Sequence, residues 1–173
     1  WGVDISKIIT KPGRMGIYFC EKGASQRPSK VIYDRADSVV SKLSATDFDW
    51  DNILEGAEWF HFTGITPALS DSMAEATLAA CQTAKKKGIP ISCDLNYRKK
   101  LWSREKAGKV MGELMPYVDL LIANEEDAAD VFGIHAAASN ITKGEINLDG
   151  YRSVAEQLIA RFGVKKVAIT LRE

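Results

Sequence analysis

Long apolar runs are missing from this sequence, and so are the marks of several other function classes. No stretch approaches the ~20 consecutive apolar residues that cross a bilayer as a helix, and no secretory leader is visible. Cysteine is scarce. Cys20, Cys81 and Cys93 form an odd set with no two at metal-ligand spacing, which argues against a disulfide framework or a cysteine zinc site and for free thiols in a reducing compartment. Charge of one sign is lacking too: 23 Lys and Arg balance 23 Asp and Glu. That excludes the basic footprint of a nucleic-acid binder, although a few local cations would suffice for a phosphorylated ligand. There is no Ser/His/Asp arrangement, no P-loop glycine pattern and no zinc spacing. Of the two histidines, His61 lies in an apolar run and is expected to be a hydrogen-bonded core residue. His135, beside three alanines, is expected at the surface. These absences point to a cytoplasmic protein with no membrane and no nucleic-acid partner.

What is present is a chain of 173 residues, 46% hydrophobic and 27% charged, enough for one domain with a sizeable core. It starts on Trp1 rather than methionine and stops at Arg172-Glu173 directly after an apolar strand. Both ends read as cuts in a longer polypeptide.

Residues 15–35 hold two runs rich in β-formers, Met15 to Glu21 and Val31 to Tyr33, around a polar Gly/Pro/Ser loop. This predicts a β-hairpin with a long loop. Alternation puts Tyr33 and Arg35 on one face. A two-stranded ribbon cannot bury both faces by itself, so it covers a ligand, a partner or its own body. From Ala57 onward strand and helix patterns alternate. Strands are expected at 59–62, 90–95, 118–123 and 166–170, and helices at 71–87, 104–114, 125–132 and 151–162. The polar stretch 136–150 reads as a surface loop. Lys85-Lys86-Lys87-Gly88 closes the first of these helices with cations and a C-terminal glycine. Such alternation implies βαβ units and a parallel sheet with helices on both faces.

Ligands of open parallel sheets bind beyond the carboxyl ends of the strands. Here those ends carry Thr63-Gly64, then Asp94 to Arg98, then Asn124 to Asp127, and finally Thr170 to Arg172. Arg98 can fork two hydrogen bonds to a carboxylate or phosphate, or pair with Asp94 or Glu125. Asn124 can serve a site, or cap a helix with Asp127 as its partner. Acidic groups in that first turn suit the helix dipole and could also order Mg²⁺ through water.

Asp94-Leu95-Asn96-Tyr97-Arg98 followed by Leu101-Trp102 resembles the D-x-N-x-R segment of the PfkB (ribokinase-like) carbohydrate kinases, in the form found in the 2-keto-3-deoxygluconate kinase (2-dehydro-3-deoxygluconokinase) subgroup. Phe62 to Ser70 looks like that subgroup's signature, and Gly16-Ile17-Tyr18 and Tyr33-Asp34-Arg35 look like its lid strands. Asn124-Glu125-Glu126-Asp127 resembles N-x-x-E, with Asp127 where Glu is usual; the charge is kept and the reach is shorter.

The resemblance implies an α/β fold, a three-layer α/β/α parallel-sheet body with a small β-sheet lid, of which this chain is a part. Residues 15–35 would be the lid hairpin, and 1–14 and 36–173 the central part of the body. It implies transfer of the ATP γ-phosphoryl group to the terminal hydroxyl of 2-keto-3-deoxygluconate. By analogy Tyr18, Tyr33, Arg35 and Arg98 hold the acid sugar. Asn96, Arg98, Asn124, Thr170 and Arg172 lie near ATP, and Asp127 acts on Mg²⁺ indirectly, through water. The family's N-terminal glycine-rich contacts and its G-A-G-D segment, which supplies the anion hole and catalytic aspartate, have no counterpart here, so no catalytic residue is assigned. A homodimer through the lid is implied. Alternative readings are a kinase of the same family for ribose, fructose or a nucleoside, and a non-catalytic sugar-binding derivative.

Overall fold

The computed structural model describes residues 2–135 and 148–170. Two sheets are present. Strands β1 (Ile17–Glu21) and β2 (Lys30–Asp34) form an antiparallel ribbon in which Tyr18 stands opposite Tyr33 and Phe19 opposite Ile32. Strands β3 (Phe60–Thr63), β4 (Ile91–Asp94), β5 (Leu120–Ala123) and β6 (Lys166–Ile169) form a parallel sheet in the order β3-β4-β5-β6. Helices α3 (Asp71–Lys86), α4 (Arg104–Leu114), α5 (Glu125–Phe132) and α6 (Leu148–Phe162) occupy the crossovers. Two one-turn helices, α1 (Trp50–Ile53) and α2 (Ile65–Ala68), flank β3.

The sheet is ordered by burial. Ile91, Ser92 and Cys93 are all buried, because β4 has a neighbour on each side and helices above and below; a strand covered on both faces reads as a continuous apolar run. The expected stripe of α3 is the observed one: Met73, Thr77, Ala80, Cys81 and Ala84 are buried, with Ala76 between them. Each of three helices is started by a side chain that accepts a backbone N–H: Ser70 from Met73, Ser103 from Lys106 and Asn124 from Asp127. Such caps contribute about 1 kcal/mol apiece. Gly88 and Gly133 follow α3 and α5 with φ of 72° and 67°, the left-handed geometry that closes a helix.

Two expectations need correction. His61 is exposed rather than core, because among the described residues β3 has no strand on its outer side and alternation turns His61 outward. It is nevertheless hydrogen-bonded, with Nδ1 2.8 Å from Ser92 Oγ, which also accepts from Trp59 Nε1. The last long helix begins at Leu148, three residues ahead of the expected start, since the polar Leu148-Asp149-Gly150 turn is already helical. The remainder of the predicted loop, 136–147, lies outside the described residues. All three cysteines are free thiols. No helix among the described residues is long and apolar enough to cross a membrane.

Candidate functional site

The site is built where β3, β4, β5 and β6 end. Parallel strands running the same way deliver their exits to one rim. At the first exit Gly64 N–H donates to Asp94 O at 2.8 Å. A β-carbon at Gly64 would stand 2.1 Å from Leu95 O, so only glycine lets these two exits approach. Asn96 follows in the left-handed region, φ 39°, which asparagine tolerates better than most residues. Its amide donates to Thr63 Oγ1 at 3.2 Å, and Leu95 N–H donates to Ile122 O at 3.0 Å. Chain geometry thus fixes the turn that presents Arg98.

The third exit meets this turn from the other side. Asn124 caps α5, as one of its two readings anticipated. Asp127, in the first turn of α5, is buried to 8% exposure and its Oδ1 accepts the Tyr97 N–H at 3.0 Å. Burial pushes the Asp127 carboxyl above its ordinary range; the backbone N–H groups of Tyr97 and Asn124 pull the other way, the Asp94 charge adds to the rise, and the Arg98 charge opposes it. At the fourth exit Thr170 N–H donates to Ala123 O at 2.9 Å, which extends the β5–β6 ladder to the rim.

The walls enclose a cleft of about 630 Å³, within the ~300–1,000 Å³ usual for small-molecule sites. Tyr33 and Arg35 reach it from the ribbon; Asn96, Arg98, Asn124, Asp127 and Thr170 reach it from the sheet. Seven of the nine residues expected at the site therefore meet in one cavity. Tyr18 is not on the wall: it sits beside Tyr33 on the ribbon, ring centroids 6.1 Å apart. Arg172 lies outside the described residues. Asp94, Tyr97 and Glu126, from the strand-end segments, also line the cleft, as do Lys99, Lys100 and Asp130, which were not expected there. Asp94 and Tyr97 belong to the motif already singled out. Lys99 and Lys100 follow Arg98 directly, and that run of three cations was the signal available. Among the described residues no cluster of His, Cys, Asp and Glu could hold a metal by itself. A second groove, along β3, is apolar and offers one imidazole and no cation.

The pfkB family carbohydrate kinase profile matches residues 1–171. The chain belongs to the PfkB family. Among solved structures, this PfkB chain is similar to a 2-dehydro-3-deoxygluconokinase of Thermotoga maritima: 50% identical, TM-score 0.85, with 93% of this chain and 47% of that one covered. Among curated proteins it is 38% identical over 161 residues to a 2-dehydro-3-deoxygalactonokinase of Haloferax volcanii, covering 92% of this chain and 46% of that protein. A 2-dehydro-3-deoxygluconokinase of Thermoproteus tenax is 33% identical over 137 residues, with 77% and 41% covered. The PfkB chain thus spans about half the length of the curated relatives it matches. The α/β body with an antiparallel ribbon is the ribokinase-like architecture expected from its motifs.

Proposed function

We propose that the protein to which this chain belongs phosphorylates 2-keto-3-deoxygluconate on its terminal hydroxyl, with ATP as phosphoryl donor. The observation that carries this reading is the convergence of Arg35 and Arg98 on one cleft. A neutral sugar does not call for guanidinium groups, whereas the carboxylate of a sugar acid suits them, because guanidinium matches carboxylate in a two-point fork. Relatives named for 2-dehydro-3-deoxygluconate and its galactonate epimer support it. The first of the curated relatives above carries the galactonate name, so the epimer is the second substrate to test.

In this reading Tyr33, Arg35 and Arg98 bind and orient the acid end of the sugar, with Tyr18 behind Tyr33. Asn96, Asn124 and Thr170 are neutral polar groups lining the same cleft. They fit a nucleotide, and Arg98 is given to both ligands in this reading. Asp127 fits an indirect role toward Mg²⁺ through water, since Mg²⁺ retains much of its hydration. When bound, Mg²⁺ neutralises phosphate charge. The residues of this chain supply position and charge, which is most of what phosphoryl transfer asks of a protein. Residues 15–35 act as a lid that excludes water, and 1–14 and 36–173 belong to the body. The ribbon's other face exposes Phe19 and Ile32, and its strand edges are open; a second copy pairing there makes a homodimer.

The test is a kinase assay of the full-length protein against sugars and sugar acids. Activity on 2-keto-3-deoxygluconate with at least about tenfold higher apparent affinity than Arg98→Ala supports the assignment; loss of a charge-assisted pair costs roughly 1.5–3 kcal/mol. Equal affinity in the variant, or a preference for ribose, fructose or a nucleoside, overturns it.

A further inference from the structure

We propose that Asp127 is a positioning residue whose Oδ1 holds the 95–98 turn in the shape that aims Arg98 into the cleft. The inference rests on the sugar-acid reading above for the role of Arg98, and adds a duty for Asp127 distinct from any help to a metal.

The turn is held from two sides. On the β3 side it is fixed by backbone and by Asn96: Gly64 N–H to Asp94 O, and the Asn96 amide to Thr63 Oγ1. On the α5 side one side-chain contact does the work, the Tyr97 N–H donating to Asp127 Oδ1 at 3.0 Å. Tyr97 is the residue between Asn96, whose φ is 39°, and Arg98. Freed from that acceptor, the peptide unit joining Asn96 to Tyr97 can rotate toward ordinary backbone angles, and Arg98 turns with it. Asp127 is itself held, because its own N–H donates to Asn124 Oδ1 at 2.7 Å and its side chain is nearly buried. An anchored acceptor of aspartate length reaches the Tyr97 amide from the first turn of α5. One more methylene, as in glutamate, would carry the carboxylate past that amide. The shorter side chain at this position is therefore matched to a backbone partner.

The experiment compares Asp127→Asn and Asp127→Ala in the full-length protein by two readouts. The first is amide exchange of the 95–98 backbone. The second is calorimetric binding of 2-keto-3-deoxygluconate without nucleotide or metal. Asparagine keeps an oxygen acceptor; alanine removes it. In the alanine variant the Tyr97 amide should exchange about tenfold faster and binding should weaken about tenfold, the scale set by losing one charge-assisted bond and by small misplacements of a binding group. The asparagine variant should restore most of both. Unchanged Tyr97 exchange in the alanine variant overturns the proposal. So does an equal loss of binding in both variants, which would make the charge, not the acceptor, the cause. Should the alanine variant not fold, the scalar coupling through the hydrogen bond from Tyr97 nitrogen to the Asp127 carboxylate carbon, measured in the unmutated protein, decides: its presence supports the anchor and its absence refutes it. Failure of the sugar-acid reading would look different. Arg98→Ala would then leave binding unchanged while Tyr97 exchange still answered to Asp127.

Discussion

The Arg35 guanidinium carbon lies 4.7 Å from the centre of the Tyr33 ring. The ring face holds the cation without neutralising it, so its N–H groups stay available to an anion. Tyr33→Leu keeps a branched apolar side chain and removes the π face. Binding of the sugar acid should weaken about two- to fivefold, matching the ~0.5–1 kcal/mol of an exposed cation–π contact. Titration calorimetry reads this directly, and a Tyr33→Phe variant should behave like the parent.

Gly64 meets Leu95 O so closely that an added methyl has no room. Both partners are backbone, and neither can swing aside. Gly64→Ala should cost about 1–3 kcal/mol, the range for overpacking a tight site, and should also disturb the turn leading to Arg98. Urea denaturation gives the first quantity. An alanine variant as stable as the parent would show that the two strand exits are not in contact.

Asp119 ties three strands at the opposite rim. Its Oδ2 accepts Ile91 N–H at 3.0 Å, and its Oδ1 pairs with Lys165 at 2.7 Å. Burial works to raise its carboxyl, but the Lys165 pair and the Ile91 N–H outweigh it and hold the group below its ordinary 3.8. A depressed folded value means that this stability is fully present above the unfolded value and is lost as pH falls through the folded one. Asp119→Asn should therefore be less stable than the parent by about 0.5–1 kcal/mol near neutrality, a figure reduced for the exposed Lys165. The two stabilities should converge as pH drops below ~3.8. Denaturant melts across pH 2.5–7 would show it.

The three thiols should differ sharply. Cys81 and Cys93 are buried, and burial pushes Cys81 up to about 12 and Cys93 well above its ordinary value. Cys20 is exposed on β1. Because thiolate is the reactive form, a disulfide reagent at neutral pH should modify one thiol quickly and the other two only on unfolding. Fast reaction of all three would mean that the sheet opens readily.

Self-association through the ribbon should depend on its outer face. Replacing Phe19 and Ile32 together by lysine puts like charges directly opposite each other, given their register. If the parent sediments as the proposed dimer, this variant should sediment as a monomer.

The strands and long helices were legible because periodicity records burial. The alternation, the polar exits and the stripe of α3 all come from residues whose surroundings lie within a few positions in sequence. Five cleft residues, Asn96, Arg98, Asn124, Asp127 and Thr170, were legible for a related reason: strand exits share one rim whatever the helices do, whereas Tyr33 and Arg35 were placed there by the family resemblance. The misses are long-range. His61 sits in a strand that looks internal by composition, and its position at the sheet edge depends on pairing order, which no local pattern encodes. Tyr18 was expected in the cleft by family resemblance, which does not say which aromatic of a facing pair reaches farther. Lys99 and Lys100 look like ordinary surface lysines until the turn at Asn96 brings them to the cavity. The contact of Tyr97 with Asp127 spans thirty positions and could not have been read from either motif alone.

The far rim of the sheet has a practical use. Gly88 and Gly163 each close a helix there with φ near 70°, and an added β-carbon at either would meet no atom within 4 Å. The nearby Lys165 amine is well exposed. Every group proposed to touch a ligand hangs from the ribbon or from the other end of the strands. A surface tether or fluorophore placed on this rim, away from the Lys165–Asp119 pair, would leave the cleft unobstructed, so immobilised protein should capture its ligand as well as protein free in solution.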